Sequence, residues 1–144
     1  MNMKKIIYLL YFLLLAPAGM WAQDKRLSRQ EFENEQREYF IRQAGLTEKE
    51  TEQFFPLYFE LQQKKRRLNR EAMEQMRKGK GQELTETEYA HIIETVANNR
   101  IACDELDLEY LRKYREGLSA KKIYLLQHAE MKFHRELLKR AKKK

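Results

Sequence analysis

Cysteine is almost missing from this sequence, which has only Cys103 among its 144 residues. A single cysteine cannot form a disulfide within the chain, so a small fold held together by internal disulfides is excluded. Cys103 stands among apolar residues in the middle of a predicted helix, where free cysteine is usually buried. We therefore expect burial against another helix, and a disulfide between two copies of the chain is the alternative.

The sequence also lacks the motifs that enzymes and metal sites require. It contains no glycine-rich phosphate loop, no His-x-x-x-His and no Cys-x-x-Cys. Its carboxylates are spaced with lysines as surface pairs on helices, as in Glu60–Lys64. We predict no enzyme, no cofactor and no bound metal, with His91 and Cys103 as the residues to examine if a metal were to bind.

Glycines are few and fall between the predicted helices. Gly45 and Gly117 stand where a helix C-terminus favours a residue that tolerates positive φ. Gly79 and Gly81 form the one loop-like stretch of any size, Lys78–Gln82. The intervals between these glycines are therefore free to be long helices.

A leucine followed by serine or threonine opens each of those intervals. The hydroxyl is an N-cap, because it accepts a backbone N–H that the first helical turn leaves unpaired. Three of the four caps have glutamate three residues later, which makes a capping box. The four pairs are Leu27-Ser28, Leu46-Thr47, Leu84-Thr85 and Leu118-Ser119, and the glutamates are Glu31, Glu50 and Glu88.

Caps and glycines together predict an all-α fold with four helices at about 28–44, 48–78, 86–116 and 120–141. The two central helices would form a hairpin, each about 45 Å long. Each helix has an apolar stripe and a heavily charged remainder, and 35% of the residues are charged. Since such a chain cannot enclose a thick core, we expect an elongated molecule that completes its core as a homodimer.

The first 22 residues have the pattern of a cleaved signal peptide. Two lysines precede an unbroken apolar run, residues 6–16, and Ala22 offers a small residue before the cut. The prediction is an exported, periplasmic protein with a single domain at 23–144. Cleavage would remove two lysines and no acid, which lowers the net charge from +7 to +5. Residues 139–144 are expected to form a solvated, frayed basic tail.

Aromatic residues crowd around Pro56 in the second helix. Proline inside a helix removes one hydrogen bond and should bend the helix there. Phe54, Phe55 and Phe59 are then either packed into a core or partly exposed as an apolar patch that other proteins can touch. The sequence alone leaves both alternatives open.

A basic cluster follows on the same helix. Folding the hairpin around residues 79–84 would place 64–67 opposite 96–99, a stretch without acids, so the cluster is expected to remain positive. Farther along, Arg112, Lys113 and Arg115 would face Glu48, Glu50 and Glu52 and be neutralised. The cluster consists of Lys64, Lys65, Arg66, Arg67 and Arg70, with Arg100 beside it.

The order of these features resembles the Spy/CpxP family, small periplasmic proteins with a repeated Leu-Thr-x-x-Gln motif. Leu46-Thr47 opens one long helix and Leu118-Ser119 opens a later one, with a glycine-containing loop and a very long helix between them. The resemblance covers about residues 46–140. Glu50 and Lys122 stand where the family has glutamine, Ser119 replaces threonine, and Pro56 departs from the family pattern.

The resemblance implies a cradle-like antiparallel homodimer that holds unfolded proteins without ATP. Non-native periplasmic or envelope proteins would be its clients, and nucleic acid is not expected as a partner. Other members of the family act on envelope-stress signalling or bind metal, so a regulatory sensor of a membrane signalling protein is the alternative. The hypothesised client-binding residues are Lys64, Lys65, Arg66, Arg67, Arg70 and Arg100 for charge, and Phe54, Phe55 and Phe59 for apolar contact.

Overall fold

Four helices make up the computed structural model, which describes residues 28–143. They are α1 (Arg29–Ala44), α2 (Glu48–Lys78), α3 (Glu86–Tyr114) and α4 (Ala120–Lys142). The described range contains no strand, so the predicted all-α class is confirmed. The predicted signal peptide and the Leu27 position lie outside the described residues.

Local hydrogen bonds explain why the helices begin where they do. The Thr47 hydroxyl accepts from the Glu50 N–H, 3.2 Å, and the Glu50 carboxylate accepts from the Thr47 N–H, 2.9 Å. The same reciprocal box starts α3 at Thr85, and another joins Ser28 to Glu31. At the start of α4, the Ser119 hydroxyl accepts from the Lys122 N–H without a return bond. The three predicted capping boxes are confirmed.

The basic segment 139–142 forms the end of α4. The helix continues to Lys142, and residues 139–142 are exposed on it. Within 28–143, no helix is both long and apolar enough to cross a membrane.

Helices α2 and α3 form an antiparallel hairpin, as predicted. Near the loop, the Asn99 side-chain amide donates to the Leu68 carbonyl, 3.1 Å. Cys103 is buried in the hairpin, with its Sγ 3.8 Å from the Asn69 side-chain oxygen. Farther from the loop, the rings of Phe54 and Tyr114 are 4.8 Å apart.

The predicted register of this hairpin is wrong. The Lys65 ammonium lies 2.8 Å from Asp107, so residues 64–67 are displaced toward the C-terminal end of α3 rather than lying opposite 96–99. Lys113 pairs with Glu109 on its own helix, 3.1 Å, and not with Glu50. The sequence prediction assumed that the two helices fold symmetrically about the loop, whereas the contacts show an asymmetric turn.

A core forms in the half of the hairpin that is farther from the loop. This half contains the first part of α2 and the last part of α3, and we call it the proximal half. The chain divides into two compact units after Asn34. Within residues 35–143, the last part of α1 contacts α2, and α4 contacts α2 as well. The Phe40 ring of α1 lies 5.4 Å from Tyr58 and 6.2 Å from Phe133 of α4. Phe40 and Tyr110 are fully buried, at 0% exposure.

Candidate functional site

The aromatic cluster around Pro56 is mostly core. Phe54 and Phe55 are 3% and 1% exposed, so the hypothesis that they form an exposed client-binding patch is wrong. Phe59 is half-buried and stacks on Phe55 with ring centres 5.9 Å apart. Helix α2 runs through Pro56 without ending. The first of the two alternatives, packing into a core, therefore holds for Phe54 and Phe55.

Two members of the basic cluster are engaged within the hairpin. Lys65 forms the ion pair with Asp107, and its ammonium contacts both carboxylate oxygens. The Lys64 ammonium lies 5.2 Å from the centre of the Tyr110 ring, and the Tyr110 hydroxyl raises the pKa of Lys64. The expectation that α3 supplies no acid to this stretch is wrong, because the register places Asp107 beside Lys65.

The arginines of the cluster remain exposed. Arg66, Arg67 and Arg70 on α2 and Arg100 on α3 are all exposed, and none forms an ion pair with residues 28–143. The arginines therefore supply the positive charge that a partner can reach, whereas Lys64 and Lys65 form contacts within the hairpin.

A stripe of exposed side chains extends from these arginines toward the loop. Arg66, Arg70, Met73 and Arg77 recur at steps of four, three and four residues, so they share one face of α2. The Met73 side chain is 59% exposed. Met73 and Arg77 were missed by the sequence analysis, although this spacing was the available signal.

Helix α3 has a matching exposed stripe. Ile93 and Ala97 are four residues apart, and Arg100 and Ile101 follow after three and four residues, which places them on one broad face. Ile93 is 65% exposed and Ile101 56% exposed. The stripe thus combines two large aliphatic side chains with one arginine.

Both stripes lie on one side of the hairpin. On α2, Gln62 lines a cavity together with Leu126 of α4. Arg66 and Met73 lie nearer the loop on the same face of α2 as Gln62, because they follow it at helical spacing. On α3, Leu111 lines the same cavity, and Ala97 and Ile93 lie nearer the loop on the same face of α3 as Leu111. In the proximal half, α4 covers this side of the hairpin. Nearer the loop, eight side chains on the same side are exposed. We call this exposed surface the distal flank: Arg66, Arg70, Met73, Arg77, Ile93, Ala97, Arg100 and Ile101.

The two residues that stand three positions after the Thr47 and Ser119 caps meet in the structure. The Lys122 ammonium contacts the Glu50 carboxylate at 2.6 Å and donates to the Gly45 carbonyl at 3.0 Å. This lysine, followed by the Thr47 N–H, lowers the pKa of Glu50. Leu46 and Leu118, the leucines before the caps, are buried beside this contact region at 9% and 7% exposure. These motif residues hold helix ends together and present no reactive group.

The two residues considered for metal binding are not brought together in one chain. His91 and Cys103 are twelve residues apart on α3, about 18 Å along its axis. His91 is exposed and lines an open cavity near the loop, whereas Cys103 is buried. Among residues 28–143, no three His, Cys, Asp or Glu side chains converge as metal ligands.

Comparison with protein-family models, curated proteins and solved structures finds no match to this chain. The Spy/CpxP resemblance therefore stays a hypothesis that rests on the capping motifs and their order.

Proposed function

We propose that this protein is an exported, ATP-independent holding chaperone, and that the distal flank is its client-binding surface. The observation that carries the proposal is the exposed combination of four arginines with Met73, Ile93 and Ile101 on one side of the hairpin. This set revises the sequence-based one. It omits the buried Phe54 and Phe55, the half-buried Phe59 and the engaged Lys64 and Lys65, and it omits Arg67 because that residue lies on another face of α2.

Charge on the distal flank would provide the first contact with a client. Exposed, unpaired arginines attract acidic segments of many different polypeptides and raise the rate of encounter. Because these charges face solvent, the attraction falls as salt shortens the Debye length, which is about 8 Å at physiological ionic strength. Client capture is therefore expected to be strongest at low salt.

The apolar side chains of the distal flank would hold the client after that contact. Methionine is flexible and adapts to differently shaped partners, which suits a surface that must bind many sequences. A few exposed apolar side chains among charges give a modest gain from burial and so allow release without ATP. The proposal retains two expectations from the sequence: the homodimer, which follows from the thin core and the resemblance, and the periplasmic location, which follows from the signal-peptide pattern.

The proposal is tested by charge reversal with a matched control. R66E/R70E/R77E inverts three charges on the distal flank, and K139E/R140E/K142E inverts three on the exposed end of α4, so the two variants have equal net charge. We expect the first to weaken binding of a fluorescently labelled unfolded protein about tenfold or more, and the second to bind nearly as the unchanged protein does. Equal losses in both variants would assign the effect to net charge and contradict the proposal.

A second pair of variants tests the apolar contribution. M73Q/I93Q removes large apolar side chains from the distal flank, and L138Q removes one that is 65% exposed on α4. The unchanged protein and L138Q are expected to keep the part of client binding that persists at high salt. M73Q/I93Q is expected to lose it. Unchanged high-salt binding would show that the apolar residues have no part in holding clients.

A further inference from the structure

Helices α2, α3 and α4 line a partly open cavity of about 220 Å³ in the proximal half of the hairpin. The rings of Phe54, Tyr58 and Tyr114 line one side of it. Phe54 lies 4.8 Å from Tyr114 and 5.5 Å from Tyr58, measured between ring centres. The cavity lining thus contains three aromatic rings, a composition that favours a ligand with an apolar part.

One negative charge in the cavity lining remains without an ion-pair partner. Lys65 and Asp107 both line the cavity and neutralise each other at 2.8 Å. Glu130 of α4 also lines it, and no basic group among residues 28–143 forms an ion pair with its carboxylate. The charged side chains of the lining therefore sum to one negative charge.

The surroundings of Glu130 leave room for another hydrogen-bond donor. The Tyr58 hydroxyl lines the cavity together with Glu130 and accepts from the Gln36 amide, 3.1 Å. A carboxylate has about four acceptor positions, so most of them remain available. Removal from water raises the pKa of Glu130, against the attraction of His134 and Lys65, and a cationic ligand would offset that cost.

Tyr114 contributes a polar atom that lacks a partner. The residue is only 8% exposed, and its hydroxyl is buried without a hydrogen bond to any residue of the described range. Burial, and then the nearby charges of Glu130 and Asp107, raise the pKa of Tyr114, so the hydroxyl stays protonated beside these carboxylates. An unpaired buried hydroxyl is costly, and such groups normally have a partner.

We propose that this cavity binds a small primary amine in its ammonium form. The ammonium has three donors, which can reach the Glu130 carboxylate and the Tyr114 oxygen together, while its apolar part packs against Phe54. A cavity of roughly 150 Å³ accommodates benzene, so the larger volume here suits one six-membered ring with a short aminoalkyl arm. A carboxylate ligand of the same size would be repelled by Glu130.

Three probes of nearly equal shape separate charge from size. Phenethylamine is the cation, 2-phenylethanol the neutral analogue and phenylacetate the anion, each titrated calorimetrically into the full chain. We expect phenethylamine to bind at least about tenfold more tightly than the alcohol, and phenylacetate to show no binding. Equal binding of all three, or binding of none, overturns the proposal.

Variants of the lining provide the second readout. E130Q should weaken phenethylamine binding about tenfold or more, and E136Q, on the same helix but outside this cavity, should leave it unchanged. If E130Q does not fold by circular dichroism, Y114F serves instead, with an expected loss of about threefold. Unchanged affinity in the folded variant, or an equal loss in E136Q, overturns the assignment.

Discussion

The Lys122 ammonium lies 2.6 Å from the Glu50 carboxylate and joins the first turn of α4 to the first turn of α2. Both residues stand three positions after an N-cap, at Ser119 and Thr47. The Glu50 carboxylate therefore makes two stabilising interactions. It completes the capping box of α2 and forms an ion pair with Lys122 of α4. Glu50 and Lys122 thus link two helix N-termini through opposite charges.

Replacing Glu50 by glutamine should lower the melting temperature by a few degrees at neutral pH. The pKa of Glu50 lies below its ordinary value of 4.5, so its charged form is stabilised in the folded chain. That contribution is present above the ordinary value and is lost as the pH falls through the lowered one. The melting difference between E50Q and the unchanged protein should therefore shrink in acid.

Glu48 supplies the control for this prediction. It is an exposed acid in the same first turn of α2, so E48Q changes the helix-dipole interaction without touching Lys122. Equal melting temperatures of E48Q and E50Q across the pH range would show that the pair with Lys122 contributes nothing.

Gly45 should resist replacement even though nothing crowds it. It ends α1 with φ of 63°, and an added Cβ would meet no atom within 4 Å. The cost of G45A is then the strained backbone alone, about 1–2 kcal/mol for an L-residue in this region. Gly81 also has open space but no positive φ, so G81A should unfold in denaturant nearly as the unchanged protein does.

Cys103 should react slowly with a thiol reagent until the protein unfolds. Its side chain is buried in the hairpin at 7% exposure, and a thiol must be accessible to react. C103A/A97C moves the thiol to an exposed position on the same helix and should react at least about a hundredfold faster under native conditions. Rapid reaction of Cys103 in the native protein would contradict the burial described here.

Helix bounds could be predicted from the sequence because capping is local. Thr47 and Glu50 are three residues apart, and the bonds between them depend on no other part of the chain. Gly45 likewise ends α1 as expected, since only its own φ is involved.

Contacts between helices were harder to predict, because they depend on register. The pairing of Lys65 with Asp107 follows from an asymmetric turn that nothing in the 79–85 loop sequence specifies. Phe55 and Phe59 are four residues apart, yet only Phe55 is fully covered, since Phe40 of α1 lies beside it. The carboxylate of Glu130 in the cavity lining had no local signal at all.

Aggregation of a denatured client diluted into the purified protein, followed by light scattering without nucleotide, tests the chaperone proposal most directly. The proposal predicts suppression near one dimer per client at low salt, weaker suppression at high salt, and little in R66E/R70E/R77E at either. No suppression at low salt, or equal suppression by that variant, would contradict the account.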